Sequence, residues 1–287
     1  MIVSESIQMA NHVWNHGANT AMQIQNTFDE KSDYNAIEVD VRSFDGVLKL
    51  AHDSNVDMID TSLESFLQTI KTISAPYTIK FDFKDELAIT NGLKMIRMSN
   101  SSTYKQHVII GNVDALVGPG GAKNVIMSPN RFFSLMRQEV PNANISLGMT
   151  TGWNFATLIL QHRYTLEHID SFFNLKNVSN VTLSLRMTIL SQTDPSILNK
   201  ISAHRFLIWG ESGILENNWI QSNSNFIIDK DLQSIGGWLI GTYAWAISMC
   251  IIFICLFIYC FRCCCCAGHS GYTGLKHEDT VTPDVES

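Results

Sequence analysis

Two short runs of the sequence alternate charged with apolar residues, as a β-strand does when its two faces differ. Residues 36–41 place Glu38 and Asp40 on one face, and residues 77–84 place Asp82 on one face together with lysines. Charges gathered in this way are costly to bury unless they are paired or bound to a metal. Carboxylate oxygens are hard ligands that suit Ca²⁺ or Mg²⁺. The pattern predicts a divalent-cation site formed by the three carboxylates.

Two histidines near these runs add the groups that proton transfer requires. His16 precedes the first run and His52 follows it. Beside a cation that polarises a phosphoryl oxygen, His16 and His52 would act as general base and general acid, and Lys84 would pair with a phosphate oxygen. The alternative is a salt-bridge network in which Lys80 and Lys84 neutralise the acids.

Strand-like runs alternate with helical ones along the first 230 or so residues, a length that supports one large domain. The strands are predicted at 11–16, 36–42, 46–51 (a short return strand), 77–83, 107–112, 144–149, 181–186, 205–210 and 225–229. The helices are predicted at 19–30, 61–73, 85–98, 129–139, 154–174 and 194–203. This order predicts a (β/α)8 TIM-type barrel; an open doubly wound sheet is the runner-up, although no glycine-rich phosphate loop opens the first βα turn.

Functional residues of such barrels lie at the carboxyl ends of the strands. Asn112, Arg186 and Trp209 stand at or near such ends, so we predict that they bind substrate. A formal net charge of −7 argues against nucleic acid as a partner, because nucleic-acid binding needs a basic face.

An apolar segment follows the predicted barrel. No charged residue occurs between Asp231 and Arg262, and roughly 20 apolar residues suffice for a helix to cross a bilayer. We therefore predict a transmembrane helix over 236–261, followed by a short disordered cytoplasmic tail over 262–287.

Cysteines occur only in this segment and just after it, so the first 249 residues can form no disulfide. The block of four adjacent cysteines lacks the separated pairs of zinc ligands, and juxtamembrane cysteines on the cytosolic side are typical palmitoylation sites. Unmodified thiols are the alternative. The predicted lipidation sites are Cys263, Cys264, Cys265 and Cys266.

Several features predict the orientation in the membrane. Arg262 directly follows the apolar segment, which favours a cytoplasmic tail. Residues 1–6 do not resemble a signal peptide, so we expect either a missing chain start or a tail-anchored protein, and favour the first. We predict a single-pass cell-membrane protein with an extracellular N-terminal domain. Its N-glycosylation sequons begin at Asn100, Asn144, Asn177 and Asn180.

The arrangement of motifs resembles two related groups of proteins. The acidic and histidine pattern resembles that of glycerophosphodiester phosphodiesterase-like barrels, although Gly17 stands where those enzymes have arginine and Asp82 where they have glutamate. Over residues 8–231 the chain is similar to the menorin family. The motifs that carry this second resemblance are residues 109–115, 118–121, 144–151, 181–186 and 208–210.

The resemblance implies a phosphodiesterase-like barrel at a cell surface or in secreted form, with roles in recognition between cells, including the shaping of neuronal processes. We therefore expect a membrane-anchored recognition or signalling protein whose partners are extracellular or cell-surface proteins and whose metal-binding pocket is vestigial or uncharacterised. The alternative is a metal-dependent phosphodiesterase ectoenzyme.

Overall fold

In the computed structural model the chain divides into Met1–Gln233 and Ser234–Ser287, and every residue described below belongs to the first unit. The structure describes residues 12–54, 60–99, 106–120, 124–151, 163–175, 181–190, 193–201, 206–209 and 226–228. Within them, strands and helices alternate along the chain, which confirms the predicted α/β class.

The strands are β1 (Trp14–Asn15), β2 (Ala36–Phe44), β3 (Val47–Leu50), β4 (Thr78–Phe83), β5 (Val108–Val117), β6 (Asn144–Thr150), β7 (Val181–Arg186), β8 (Phe206–Trp209) and β9 (Phe226–Ile228). The helices are α1 (Ala21–Thr27), α2 (Leu63–Thr72), α3 (Glu86–Ser99), α4 (Pro129–Glu139), α5 (Leu166–Phe173), α6 (Met187–Leu190) and α7 (Pro195–Ile201).

The strands form one sheet in the order β1-β2-β4-β5-β6-β7-β8-β9, in which every neighbouring pair is parallel. β3 is the exception: it pairs with β2 in antiparallel fashion and forms the predicted return strand. This sequential order is the one that βα units joined by right-handed crossovers produce.

The sheet is curled rather than flat. The rings of His16, which follows β1, and Trp209, which ends β8, are stacked with centroids 6.3 Å apart. Six strand spacings separate these positions along the sheet, which would be about 29 Å in a flat sheet. At the other end of the strands, Trp14, Ile110 and Leu207 pack in one cluster, although they come from β1, β5 and β8.

The alternation of residues along the strands gives the sheet two different faces. Ile37, Val39 and Val41 belong to the large apolar core between the sheet and the surrounding helices. Helix α2 shows how the helices complete this core: Ser62 caps it by accepting from the Ser65 backbone N–H, and its buried residues recur at helical spacing. The charged side chains of β2 and β4 therefore point to the inner face.

Helix α6 was not predicted, and the other differences from the predicted elements lie at their boundaries. β5 continues five residues beyond the predicted end at 112, with a register irregularity between Asp114 and Leu116. Helix α5 begins at Leu166, after the N-cap Thr165, and residues 154–162 of the predicted helix lie outside the described ranges.

No helix within the described ranges is long and apolar enough to cross a membrane. The predicted span 236–261 and tail 262–287 lie outside those ranges.

Candidate functional site

Three carboxylates meet at the carboxyl ends of β2 and β4. Asp40 and Asp82 are register partners on these adjacent strands, and Glu38 lies one inward-facing position earlier on β2. One oxygen of each residue lies within 4.8 Å of the others. The structure thus brings together the three predicted cation ligands, which we call the acidic centre.

Two lysines compensate part of this charge. Lys80 Nζ lies 2.9 Å from Glu38 Oε2, and both side chains are only 2% exposed. Lys84 Nζ lies 2.8 Å from Asp40 Oδ1 and 2.7 Å from Asp82 Oδ2. Burial alone would lower the pKa of Lys84, but the neighbouring aspartates raise it well above its usual range, so this side chain is an ammonium at neutral pH.

His16, which follows β1, contacts the Glu38 carboxylate of the acidic centre. Its Nδ1 lies 2.9 Å from Glu38 Oε2, and its ring stacks on Trp209. Burial favours a raised pKa for Glu38, yet its interactions with His16 and Lys80 hold that pKa well below its usual range. Glu38 is therefore a buried carboxylate and not a carboxylic acid.

Asn19 anchors Asp40 from the loop between β1 and α1. Its Nδ2 donates to Asp40 Oδ2 over 2.7 Å, and its Oδ1 accepts from the Asp40 backbone N–H over 2.9 Å. Gly17 makes this turn possible with a φ of +62°, in the left-handed region that favours glycine. Burial would raise the pKa of Asp40, but Lys84 and Asn19 lower it below its usual value against the repulsion of Glu38.

β5 contributes two further polar residues. Asn112 Nδ2 donates to Asp82 Oδ1 over 2.8 Å, which places this predicted substrate-binding residue at the acidic centre. Asp114, two residues on, has its pKa raised to about 7 by burial and by Asp82, against the opposing effect of Lys84. Its carboxylate occupies the space that a Cβ at Gly148 would need.

Asn19 and Asp114 are site residues that the sequence reasoning missed. The signal for Asp114 was present, since Asn112 and Asp114 repeat on β5 the spacing of Glu38 and Asp40 on β2. Asn19 is held by loop geometry, which no periodicity reveals.

Arg186 and Trp209 lie side by side at the ends of β7 and β8. The Arg186 guanidinium carbon lies 5.4 Å from the centroid of the Trp209 ring, within cation–π range. The Arg186 backbone N–H donates to the buried Tyr164 hydroxyl over 2.9 Å, and burial raises the pKa of that phenol. Trp209 therefore connects the guanidinium with His16.

His52 has a different environment from His16. Its side chain is 66% exposed and its Nδ1 lies 3.0 Å from Asp53 Oδ1, while its backbone carbonyl accepts from Arg42. Within the described ranges it makes no contact with the three carboxylates of the acidic centre.

Of the predicted modification sites, the structure describes Asn144 alone, a half-buried residue at the start of β6. The remaining predicted glycosylation and lipidation sites lie outside the described ranges: Asn100, Asn177, Asn180, Cys263, Cys264, Cys265 and Cys266.

The donor set of the acidic centre fits a divalent cation. Its three carboxylates face the two ammonium groups of Lys80 and Lys84, and Asp114 lies one inward-facing position beyond Asn112. With His16 neutral, one negative charge of the acidic centre remains to be compensated, and ionisation of Asp114, whose pKa is raised to about 7, adds a second. Oxygen donors of this kind select a hard ion such as Ca²⁺ or Mg²⁺.

Comparison with known proteins confirms the family resemblance predicted from the sequence. The protein-family model that describes the menorin N-terminal domain matches residues 8–212. The chain belongs to the menorin family. A human relative, Protein FAM151B, is 26% identical over 204 residues, which cover 68% of this chain and 71% of the relative. The menorin-family match includes every residue of the acidic centre as well as Arg186 and Trp209.

Proposed function

We propose that this menorin-family domain binds a divalent cation at the acidic centre and hydrolyses a phosphodiester there. The observation that carries this proposal is the convergence of three carboxylates with His16 and Lys84 at one end of the sheet. A bound cation would polarise a phosphoryl oxygen and neutralise the charge that develops on it.

His16 is the proton acceptor in this proposal. Because its Nδ1 lies against the Glu38 carboxylate, the neutral ring carries its proton on Nδ1 and its basic lone pair on Nε2. Glu38 thereby orients the ring and stabilises the imidazolium that forms when His16 takes a proton from the attacking water. The P–O bond to the alcohol breaks as the bond to water forms, and the leaving alkoxide takes a proton from solvent.

Lys84 and Arg186 supply positive charge for the phosphate. Lys84 remains protonated throughout, so it stabilises the extra negative charge of the transition state. Arg186 presents its guanidinium beside Trp209, on the side of His16. In this proposal Arg186 takes the phosphate-binding role of the arginine that Gly17 replaces.

Hydrolysis of bis(p-nitrophenyl) phosphate by the purified full-length chain in detergent tests this proposal. We expect release of p-nitrophenol that depends on Mg²⁺, Ca²⁺ or Mn²⁺ and that falls roughly 10²–10⁴-fold in His16→Gln. His168→Gln is the matched control, since His168 lies at the start of α5. A folded protein that binds cation without hydrolysing this substrate or natural phospholipids would contradict the enzymatic proposal.

The second candidate is a surface-recognition protein that retains the pocket without turnover. The outward orientation of His52 favours it, because the predicted second proton-transfer partner pairs with Asp53 instead of reaching the acidic centre. The test is a His16→Ala/His52→Ala double variant expressed on cells. Recognition predicts that partner binding and the biological effect both persist, whereas loss of the effect with intact partner binding indicates catalysis.

We further propose that one helix over 236–261 anchors the domain outside the cell membrane, with extracellular or cell-surface proteins as partners. The uncharged apolar segment, the sequons and the juxtamembrane cysteines support this arrangement. Glycosidase treatment of the full-length protein from cells should increase its gel mobility. Unchanged mobility, together with protection of the domain from external protease on intact cells, would instead support a tail-anchored protein.

We also infer that the curled sheet closes into a (β/α)8 barrel through pairing of β9 with β1. The contact between His16 and Trp209 supports closure, because it already brings the first and eighth strands close together. Hydrogen exchange should then show slow exchange of the backbone amides of both β1 and β9. Fast exchange of both would indicate an open sheet.

A further inference from the structure

Exposed apolar side chains gather near one edge of the sheet. Within the described ranges, seven large hydrophobic residues are exposed, and five of them lie near the carboxyl ends of the strands. Single exposed hydrophobic residues are normal on a protein surface, so their shared position is the informative feature. These five residues, which we call the apolar rim, are 41% to 69% exposed: Met22, Val47, Leu87, Val117 and Leu166.

Three members of the apolar rim come directly after strands of the sheet. Met22 and Leu87 lie in the first turns of α1 and α3, the helices that follow β1 and β4. Val117 is the last residue of β5. Because the carboxyl ends of parallel strands meet at one edge, these three side chains belong to the same side of the domain.

The other two members reach this edge by different routes. Val47 begins β3 and pairs with Phe44, which stands three residues beyond the last paired position between β2 and β4. Leu166 is two residues from Tyr164, whose hydroxyl accepts a hydrogen bond from the backbone of Arg186 at the end of β7. The apolar rim therefore follows the strand ends from β1 to β7.

Acidic residues accompany the apolar rim. Asp45, Glu86 and Glu167 are exposed, and each stands within two positions of a rim residue. Together with the formal net charge of −7, these carboxylates disfavour contact with anionic lipids. Apolar side chains that insert without a basic face fit a neutral, zwitterionic lipid surface. Anionic lipids are characteristic of the cytoplasmic leaflet, so a neutral surface also agrees with the proposed extracellular domain.

The chain leaves the sheet at the edge that carries the apolar rim. β9 is parallel to β8, so its last residue, Ile228, points the chain toward the carboxyl edge. Seven residues, 229–235, separate Ile228 from the predicted membrane span at 236. Seven residues reach at most about 25 Å. So short a connection favours orientations in which the apolar rim faces the bilayer.

We propose that the apolar rim inserts into the interface of a neutral phospholipid bilayer. The inference rests on the proposed membrane anchor and adds a second contact between the domain and the same membrane. This contact sets the orientation of the domain, because a helix alone leaves it free to turn about the connection. It also holds the acidic centre, which lies at the same edge, toward the bilayer surface.

A pair of tryptophan variants on one helix tests this proposal. Leu87 and Met98 are both exposed and lie eleven residues apart on α3, about 16 Å along its axis. Leu87→Trp and Met98→Trp therefore place the same reporter at the rim and near the opposite end of the helix. The full-length chain is reconstituted in phosphatidylcholine nanodiscs with and without bromine on the acyl chains, which quenches tryptophan emission at close range.

The emission that Leu87→Trp adds to that of wild type should be lost in brominated nanodiscs, whereas the emission that Met98→Trp adds should be retained. Val47→Trp supplies a second reporter on a different element and should behave like Leu87→Trp. Partial replacement of phosphatidylcholine by phosphatidylserine should weaken the quenching at both rim positions. Equal quenching of Leu87→Trp and Met98→Trp, or stronger quenching with phosphatidylserine, would overturn the proposal.

Wild-type emission separates this inference from the membrane anchor. Trp238 and Trp245 lie in the predicted span, so an anchored wild-type chain should lose part of its emission in brominated nanodiscs. If wild type is quenched while Leu87→Trp and Val47→Trp add emission that is not, the rim contact is wrong and the anchor stands. In that case, a dimer on size-exclusion chromatography would indicate that a second copy covers the rim. A chain that does not enter nanodiscs overturns the anchor and the rim contact together.

Discussion

At the scale of single residues, Lys80 has the strongest expected effect on stability. Its ammonium and the Glu38 carboxylate are both almost completely buried, at a separation of 2.9 Å. Removal of one partner from a buried pair leaves the other charge without adequate compensation, which typically costs about 3–5 kcal/mol. The stability of the folded domain therefore depends on keeping both charges of the Lys80–Glu38 pair.

We predict that Lys80→Met lowers the free energy of unfolding by about 3 kcal/mol in the presence of chelator. Lys80→Met/Glu38→Gln should lose much less than the sum of the two single variants, because neither buried charge remains. Denaturant unfolding followed by tryptophan fluorescence measures both effects. Lys200→Met is the control: its pair with Asp170 is exposed, so it should cost less than about 1 kcal/mol. Additive effects at Lys80 and Glu38 would count against the buried pair.

Asp114 predicts a pH dependence of stability. Burial and Asp82 raise its pKa to about 7 in the folded protein, whereas an unfolded aspartate titrates near about 3.9. As pH rises between these values the unfolded state loses its proton first, so the folded state becomes relatively less stable. Above about pH 7 both states are ionised and the difference levels off.

The free energy of unfolding of wild type relative to Asp114→Asn should therefore fall as the pH is raised from about 4 to about 7. The comparison is made with chelator present, by denaturant unfolding at a series of pH values. A difference between the two proteins that stays constant over this range would show that Asp114 is not buried among like charges.

At the scale of elements, the start of α1 connects local helix chemistry with the acidic centre. Thr20 and Gln23 form a capping box, and Asn19 immediately before it holds Asp40 through two hydrogen bonds. Loss of an N-cap side chain costs about 1 kcal/mol. Any fraying of this helix end would also loosen Asn19.

We predict that Thr20→Ala and Thr165→Ala both lower the free energy of unfolding by about 1 kcal/mol, because Thr165 forms the equivalent cap on α5. Only Thr20→Ala should also reduce the rise in melting temperature that excess Ca²⁺ produces, since only this cap supports a residue that binds Asp40. If both variants lost the calcium-induced rise in melting temperature equally, the cap of α1 would have no specific role at the cation site.

The strand alternation was sufficient to predict the acidic centre. Glu38, Asp40 and Asp82 belong to strands whose period of two is visible in the sequence, and adjacent parallel strands end at the same edge of the sheet. The predicted strand ended at residue 112, whereas β5 continues to Val117, and Asp114 was missed because it lies beyond the predicted end. The orientation of His52 depends on the loop after β3, which no strand pattern determines.

At the scale of the whole domain, the curl of the sheet determines which distant residues meet. Trp209 lies beside His16 because β8 approaches β1, although about 190 residues separate them in the chain. The predicted barrel implied that such contacts exist, but the partners depend on register and side-chain packing. The stacking of Arg186, Trp209 and His16 is thus a result of the three-dimensional structure alone.

The central claim of this account is that the acidic centre binds a divalent cation, and titration with Mn²⁺ followed by electron paramagnetic resonance tests it most directly. Mn²⁺ prefers oxygen ligands over thiolates, so the cysteine block at 263–266 should interfere little. The account predicts that each full-length chain binds one Mn²⁺ ion, so that one equivalent disappears from the resonance signal of the free ion. Asp40→Asn should abolish this binding and Asp170→Asn, an exposed site elsewhere, should preserve it. A folded wild-type chain that binds no Mn²⁺, or an Asp40→Asn variant that binds it as wild type does, would contradict the claim.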